Sequence, residues 1–265
     1  MTEMSVLVCF HAHPDDEVFT TGGVMRLAAN AGHRVVLVTA TDGAKGEAPE
    51  GLLAEDEELA YRRRRELEAS ADVLGADRVV VLPYADSGMA GTGGDSDPDA
   101  FANADRAQAA AMLAGILVDE GADVLTVYDP HGGYGHPDHV QVHHVGVMAA
   151  ALAGTPHVYE ATQNRDHVRA LTNLMRGATA DDVPADRIPD LDSFGLPDSE
   201  ITTAVDVRGA MDAKRAAMAV HASQIGDFGP FLSLPDDALL AAFGTEWFRR
   251  RGGPATEGRE TSLPL

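Results

Sequence analysis

The chain has 265 residues, 45% of them apolar, which is enough for one sizeable core and makes a single domain the expectation. Its formal net charge of −22, from 42 acidic and 20 basic residues, repels phosphate backbones and anionic lipid and so argues against nucleic-acid and membrane partners. The single cysteine, Cys9, excludes an intramolecular disulfide and a cysteine-based zinc site.

The N-terminal residues predict a buried strand and no export signal. Cys9 lies in the apolar run 5–10, so we expect an inert, buried thiol. The residues before that run carry no basic group, and no apolar stretch approaches the ~20 residues of a membrane span. A cytoplasmic location is therefore expected.

Strand-like and helix-like segments alternate along the first half of the chain. The strand-like segments are rich in β-branched residues and nearly continuous in apolar ones, as strands buried on both faces are; they span 5–10, 34–40, 78–82 and 123–128. Amphipathic helical patterns lie between them, at about 17–31, 57–74 and 105–120, with Gly75 placed to end the second. This alternation predicts an α/β fold with a mostly parallel sheet and helices on both faces.

The second half continues with weaker patterns. We expect a helix after Pro137, a strand at 157–161, a helix near 164–176, a strand at 201–207, a helix at about 208–223 and a strand at 245–248. Loops rich in Gly, Pro, Asp and Ser cover 41–56, 86–105 and 177–200. One domain over 1–248 is predicted, followed by a loosely ordered tail over 249–265. The sequence does not decide between a monomer and a homo-oligomer.

Polar motifs follow three of the first four predicted strands. The first strand runs into the motif 11–17, HAHPDDE, the second into 39–43, TATDG, and the fourth into 128–139, YDPHGGYGHPDH. Ligands of open α/β sheets bind at the carboxyl ends of strands, where the strand order reverses. If the first and fourth strands are neighbours, the two His-Pro-Asp motifs meet in one cleft.

These motifs predict a metal site with catalytic character. His13 and Asp16 are three residues apart around Pro14, and a second imidazole from 136–143 would complete a set of two histidines and one carboxylate. The residue pattern leaves His136, His139 and His143 open as that third ligand. A metal held in this way activates water, and Asp15 beside the ligands is a natural base for it.

Three rival classes are less well supported. A dinucleotide-binding module needs a glycine-rich turn after the first strand, where this chain has His-Pro-Asp-Asp. A serine hydrolase needs a Gly-x-Ser-x-Gly elbow, which is absent. A noncatalytic carbohydrate-binding module is also disfavoured, because Asp15 provides a carboxylate beside the predicted metal site that is not needed as a ligand and so suits catalysis.

The motifs 13–17, HPDDE, and 135–139, GHPDH, resemble the two signatures of the LmbE-like or PIG-L deacetylases, and the segment 221–224 is similar to a further element of that family. The resemblance implies a Rossmann-like fold and removal of an acetyl group from a glucosamine-type substrate with a divalent metal, usually zinc. The same ligand types suit ferrous iron.

The resemblance also implies roles for individual residues. It gives His13, Asp16 and His139 as metal ligands and Asp15 as general base. His136 would stabilise the oxyanion or protonate the leaving amine. The expected helpers are Asp138, which would tune His136, and Tyr134, a mobile tyrosine that could hydrogen-bond the oxyanion.

Two further stretches, 86–91 and 128–135, are similar to the mycothiol-pathway deacetylases and amidases. There, the counterpart of Asp86 and an arginine before the third strand bind substrate hydroxyls, and Arg63, within the run 62–65, is the best match. We therefore predict an N-deacetylase acting on a small N-acetylated sugar, with an amidase of mycothiol S-conjugates as the alternative.

Overall fold

The computed structural model describes residues 4–91, 97–178, 191–252 and 258–265. Within them the strands form one seven-stranded sheet in the order β3-β2-β1-β4-β5-β7-β6. The strands are β1 (Val6–His11), β2 (Arg34–Thr41), β3 (Arg78–Tyr84), β4 (Val124–Tyr128), β5 (His157–Thr162), β6 (Thr203–Asp206) and β7 (Thr245–Arg250). The pairs among β1 to β5 are parallel, and β7 lies antiparallel between β5 and β6. The predicted mostly parallel α/β sheet is confirmed.

The described helices cover both faces of the sheet. They are α1 (Asp16–Thr20), α2 (Gly22–Asn30), α3 (Leu59–Leu74), α4 (Arg106–Glu120), α5 (Gly132–Gly135), α6 (Pro137–Ala153), α7 (Arg165–Ala178), α8 (Met211–Val220), α9 (Ile225–Leu232) and α10 (Asp236–Phe243). One apolar core joins the sheet to α4 and α6 through residues such as Leu113 and Val142, and the other joins it to α2, α3 and α8 through Met25, Leu67 and Met218. Alternate residues of β1 enter the two cores, which explains its unbroken apolar sequence.

The strand order reverses between β1 and β4. Val8 pairs with Val36 of β2 on one side and with Leu125 of β4 on the other. The chain therefore winds outward in both directions from this point, and the loops that follow β1 and β4 lie side by side at the carboxyl edge. The expected convergence of the two His-Pro-Asp motifs follows from this topology.

The helix expected at 17–31 is two helices. Thr21, with φ −139° and ψ −4°, separates α1 from α2. The Glu246 carboxylate accepts hydrogen bonds from the N–H groups of Gly23 and Val24, and so satisfies donors that a helix start leaves unpaired. A Cβ at Gly23 would lie 2.4 Å from that of Val207, so glycine lets α2 begin in close contact with its neighbour. Neither contact is local in sequence, which is why periodicity alone predicted one helix.

Two expectations about the sheet and the tail need correction. β3 is an edge strand and is half-exposed, although its apolar sequence predicted burial on both faces. β7 continues to Arg250, and the segment 258–265 packs against the sheet where we had expected a loose tail: Glu260 accepts from Thr203 and Arg250, and Leu263 is buried. Part of the predicted loop at 177–200 lies outside the described residues.

Among the described helices none combines the length and the apolar character that crossing a bilayer requires.

Candidate active site

The loop after β1 holds the first motif in an unusual backbone conformation. Asp15 has φ +115°, and in the described part of the chain it is the only non-glycine residue with positive φ. Such a residue costs on the order of 1–3 kcal/mol and persists only where its surroundings enforce it. Strain of this kind is typical of functional loops.

The His13 imidazole lies among three carboxylates. Its Nδ1 is 3.4 Å from Asp16 Oδ2, and its Nε2 is 3.1 Å from Asp138 Oδ2 and 3.3 Å from Asp86 Oδ1. Burial would lower the pKa of His13, but the carboxylates of Asp138, Asp16 and Asp86 outweigh it and hold the pKa well above its ordinary value. This part of the site therefore favours positive charge.

His139, in the first turns of α6, approaches the opposite side of Asp16. Its Nε2 is 3.3 Å from Asp16 Oδ1, yet this buried nitrogen has no hydrogen-bond partner among the described residues. A buried unpaired nitrogen is costly, so it calls for a partner that the protein does not supply. A divalent metal is such a partner, and two imidazoles with one carboxylate are donors that it accepts. The residues present thus fit a metal ion.

His136 also lies close to these groups. Donor atoms of His13, His136 and His139 fall within 4.8 Å of one another. Nδ1 of His136, however, accepts the N–H of Asp138 at 3.2 Å as the N-cap of α6, so a neutral ring carries its proton on Nε2. Burial, reinforced by His13 and His139, lowers the pKa of His136 to about 4.

His143, one turn further along α6 than His139, faces another part of the molecule. Its Nδ1 is 3.0 Å from Tyr128 O and 3.5 Å from Glu160 Oε1. This side chain therefore lies over β4 and β5 and not with His13 and Asp16, which argues against it as the third ligand.

The Asp138 carboxylate contacts His13, whereas the sequence predicted that it would tune His136. Asp138 Oδ2 accepts from Ser87 N at 2.9 Å and lies 3.1 Å from His13 Nε2. Only the backbone N–H of Asp138 hydrogen-bonds His136. A histidine that ligates a metal usually donates its other ring N–H to a carboxylate, so Asp138 is placed to orient His13.

Asp86 lies just past β3 at the same edge of the sheet, as predicted. Its Oδ2 accepts from Lys45 N at 3.0 Å and its Oδ1 from Gly88 N at 2.8 Å, beside His13. Burial would raise the pKa of this carboxyl, but His13 and the two backbone donors hold it well below its ordinary value. Asp86 is therefore charged and tied to two loops.

Comparison with known proteins identifies the family. The family model described as PIG-L, GlcNAc-PI de-N-acetylase, matches residues 8–151, more than half of the chain. A 1D-myo-inositol 2-acetamido-2-deoxy-alpha-D-glucopyranoside deacetylase from Acidothermus cellulolyticus is 40% identical over 97% of this chain and 93% of its own length. The chain belongs to the PIG-L family.

Two further proteins are similar to this PIG-L chain. A deacetylase of the same name from Thermomonospora curvata is 37% identical over 96% of this chain and 94% of its own. The solved structure of the N,N'-diacetylchitobiose deacetylase from Pyrococcus horikoshii, in complex with an inhibitor, is 22% identical and superposes with a TM-score of 0.62, covering 94% of this chain and 84% of that one. The protein is thus a deacetylase, an amide hydrolase acting on C–N bonds other than peptide bonds, and its His/Asp cluster suits the divalent metal of the family.

Arg63 is the member of the 62–65 run that turns inward. Its Nη1 donates to Gly43 O at 2.7 Å and its Nη2 to Pro14 O at 2.5 Å, and Nη2 lies 3.0 Å from Asp15 Oδ2. This makes Arg63 the buried member of the run. It also places Arg63, predicted to bind substrate, under the motif loop and against Asp15.

Tyr128 is a site residue that the sequence analysis missed. Its ring stacks on His139 with centroids 4.5 Å apart, and its hydroxyl lies 2.8 Å from His11 Nδ1. His11 in turn contacts Thr21, so this buried chain braces one side of the metal site. The sequence shows a tyrosine at the end of β4, next to the second motif. It does not show that the ring of this tyrosine points toward His139. Tyr134, predicted as a catalytic helper, is half-exposed with its ring 4.9 Å from that of His139.

Proposed function

We propose that this PIG-L family deacetylase removes the acetyl group from a small N-acetylglucosaminyl glycoside, of the kind named for its relatives, 1D-myo-inositol 2-acetamido-2-deoxy-alpha-D-glucopyranoside. One observation supports the proposal: at the carboxyl edge of the sheet the His13 imidazole lies between the carboxylates of Asp16 and Asp86, and Asp15 follows in the same loop. The near-complete coverage of relatives with that name supports the same substrate class.

We propose His13, Asp16 and His139 as the metal ligands, and zinc as the metal, with ferrous iron as the alternative that the same donors allow. His13, Asp86, His136 and Asp138 form a second closely spaced group. Backbone N–H groups engage both carboxylates of this second group and also Asp16 of the first, and both His139 Nε2 and Asp138 Oδ1 are buried without a hydrogen-bond partner in the described chain. We prefer the first set because its residues are the ligands that the resemblance of the two motifs implies, and because two imidazoles with one carboxylate leave coordination positions open for water. When bound, the metal supplies a Lewis acid for water activation and carbonyl polarisation.

Asp15 is the proposed general base. Burial, helped by the charge of Asp16, raises the pKa of its carboxyl to about 7 against the opposing charge of Arg63. A base of this pKa accepts a proton from water efficiently near neutral pH. The contact with Arg63 fixes the carboxylate relative to the motif loop.

His136 and Tyr134 are proposed to act on the substrate itself. With Nδ1 occupied by the Asp138 N–H, the His136 ring can present only Nε2 to the substrate. There its Nε2–H can hydrogen-bond the developing oxyanion, and the proton that Asp15 takes from water is the one that goes to the departing amine. The half-exposed Tyr134, whose ring centroid lies 6.2 Å from that of His136, is proposed to hydrogen-bond the same oxygen.

Asp86 is proposed to bind a sugar hydroxyl. A carboxylate offers about four acceptor positions. Lys45 N, Gly88 N and His13 use three of them, which leaves one for the substrate. Since Arg63 is held by Gly43, Pro14 and Asp15, we now propose that it positions the base and does not grip the sugar.

The test is amine release by purified protein loaded with Zn²⁺ or Fe²⁺. We expect release from the N-acetylglucosaminyl inositol and weaker release from free N-acetylglucosamine. Turnover only of a mycothiol S-conjugate, with a thiol adduct on the acyl side, would establish the amidase instead. Binding of the sugar without release of any amine would contradict the proposed reaction and favour a noncatalytic carbohydrate-binding role.

A further inference from the structure

The motif residue Glu17 and the segment 221–224 have no role in the chemistry described so far, yet they meet inside the protein. Glu17 Oε1 lies 2.7 Å from His221 Nε2, and both side chains are fully buried. His221 follows α8, more than 200 residues away along the chain. Burial of two polar side chains is costly unless they are paired, so this contact between residues far apart in the chain points to a specific role.

The other oxygen of Glu17 reaches the strained residue of the site. Glu17 Oε2 accepts the backbone N–H of Asp15 at 2.9 Å, so it binds the one described non-glycine residue with positive φ. Ser70 Oγ of α3 donates to Oε1 at 2.6 Å. Three donors from three parts of the chain thus fix the direction of the carboxylate that holds Asp15.

Within the described residues, the His221 ring makes its only hydrogen bond to Glu17. Its Nδ1 is buried without a partner, and its ring lies 5.9 Å, between centroids, from that of Phe228. An apolar residue would fill this space without a bare buried nitrogen. The hydrogen bond to Glu17 is therefore the contact that requires an imidazole at this position, since packing alone does not.

The segment that carries His221 is anchored independently. Ser223 donates its backbone N–H to Glu66 at 3.0 Å and its hydroxyl to the same carboxylate at 2.5 Å. Glu66 lies on α3, three residues beyond Arg63, which holds the Asp15 carboxylate and Pro14 O. The same helix thus supports Asp15 from two directions.

We propose that the buried Glu17–His221 pair is a positioning device for the reaction: it holds the backbone of Asp15 in its strained conformation, and Arg63 holds the carboxylate. This inference rests on the proposed function of Asp15 as general base. The hydrogen-bonded route from His221 to the Asp15 backbone runs through the Glu17 carboxylate.

The experiment compares His221→Leu with His221→Gln on zinc-loaded full-length protein. The Gln amide can donate to Glu17 as Nε2 does, while Leu fills the space without a donor. We expect Leu to lower kcat about 10- to 100-fold with KM and metal content unchanged, because a hydrogen bond to a charged group is lost. Gln should restore most of that loss. Full activity of the Leu variant, or equal losses for Leu and Gln, would overturn the proposal.

A double-mutant cycle separates positioning from general damage. In an Asp15→Ala background, His221→Leu should cost no more than about twofold, since the residue through which it acts is already gone. An equal fold-loss in both backgrounds would show that His221 does not act through Asp15. If the Leu variant does not fold, Ser70→Ala removes a different donor from the same carboxylate and is carried through the same cycle, with the same two outcomes.

A structural readout keeps this inference distinct from the proposed function. If the unaltered protein releases no amine from any acetylated sugar, the proposed function fails, but crystals of the His221 variants still report the backbone. We expect the Asp15 N–H to Glu17 bond and the positive φ to be lost in His221→Leu and kept in His221→Gln. Retention of both in His221→Leu would refute the positioning role.

Discussion

Replacement of Asp15 by glycine and by alanine should separate the stability of the site from its activity. Both substitutions remove the proposed base and its contact with Arg63, so these shared losses cancel when the two variants are compared. What differs is the backbone: at φ +115° alanine keeps the steric conflict of a Cβ, whereas glycine has none.

The size of the difference follows from two opposing effects. A non-glycine residue in this region costs on the order of 1–3 kcal/mol in the folded state. The glycine variant loses about 0.4–1 kcal/mol in the free energy of unfolding relative to the alanine variant, because glycine gives the unfolded chain more conformational freedom. The balance makes Asp15→Gly about 1 kcal/mol more stable than Asp15→Ala, although glycine normally destabilises. Both variants should lose ~10²–10⁴-fold in kcat and keep their metal.

Urea unfolding of the metal-free proteins measures the stability difference, since bound metal would add its own binding free energy. Metal content and amine release are then measured on the reloaded proteins. An alanine variant as stable as the glycine variant would show that the Asp15 backbone is not strained in solution. Loss of metal from both variants would make Asp15 a ligand and not the base.

Four other outcomes are expected. His139→Ala should lose the metal while His143→Ala keeps it, because only His139 presents an unpaired nitrogen beside Asp16; the reverse result on metal analysis would exchange them. His136→Ala should keep the metal and lose roughly 10²–10³-fold in kcat; loss of the metal would mark it as a ligand. Asp86→Ala should lower kcat/KM at least ~10-fold for the glycoside and little for a minimal N-acetyl amine, whereas equal losses on both would mean that Asp86 only holds its loops. Burial raises the pKa of Cys9 to about 12, so a thiol reagent should label the protein only after denaturation, and rapid labelling of the folded protein would contradict the buried strand.

Local patterns predicted the strands and the candidate site residues because both depend on neighbours in sequence. The β-branched runs gave the five parallel strands, and the two His-Pro-Asp motifs at strand ends led to His13, Asp16 and Asp15. The break at Thr21 could not be predicted, since it depends on Glu246 from the far end of the chain.

Partners of side chains were harder to predict than positions. Asp138 was paired with His136, two residues away, but its carboxylate turns to His13 across the cleft. For Arg63, the sequence did not predict the contacts with Pro14 O and the Asp15 carboxylate in the motif loop. In both cases the direction of a side chain depends on how one helix packs against a distant loop, and sequence spacing does not contain that information.

The sequence by itself determined which chemical groups stand at the strand ends, because β1 and β4 are buried and mostly apolar, which leaves most of each polar motif to the loop that follows. Only the tertiary structure decided which of these groups act together. The docking of α6 over β4 turns His139 toward Asp16 and His143 away from it, and the folding of the segment 221–224 against α3 brings His221 to Glu17. Such choices are made by packing between elements far apart in the chain, where a shift of one helix along its axis by a single turn exchanges one imidazole for another on the same face.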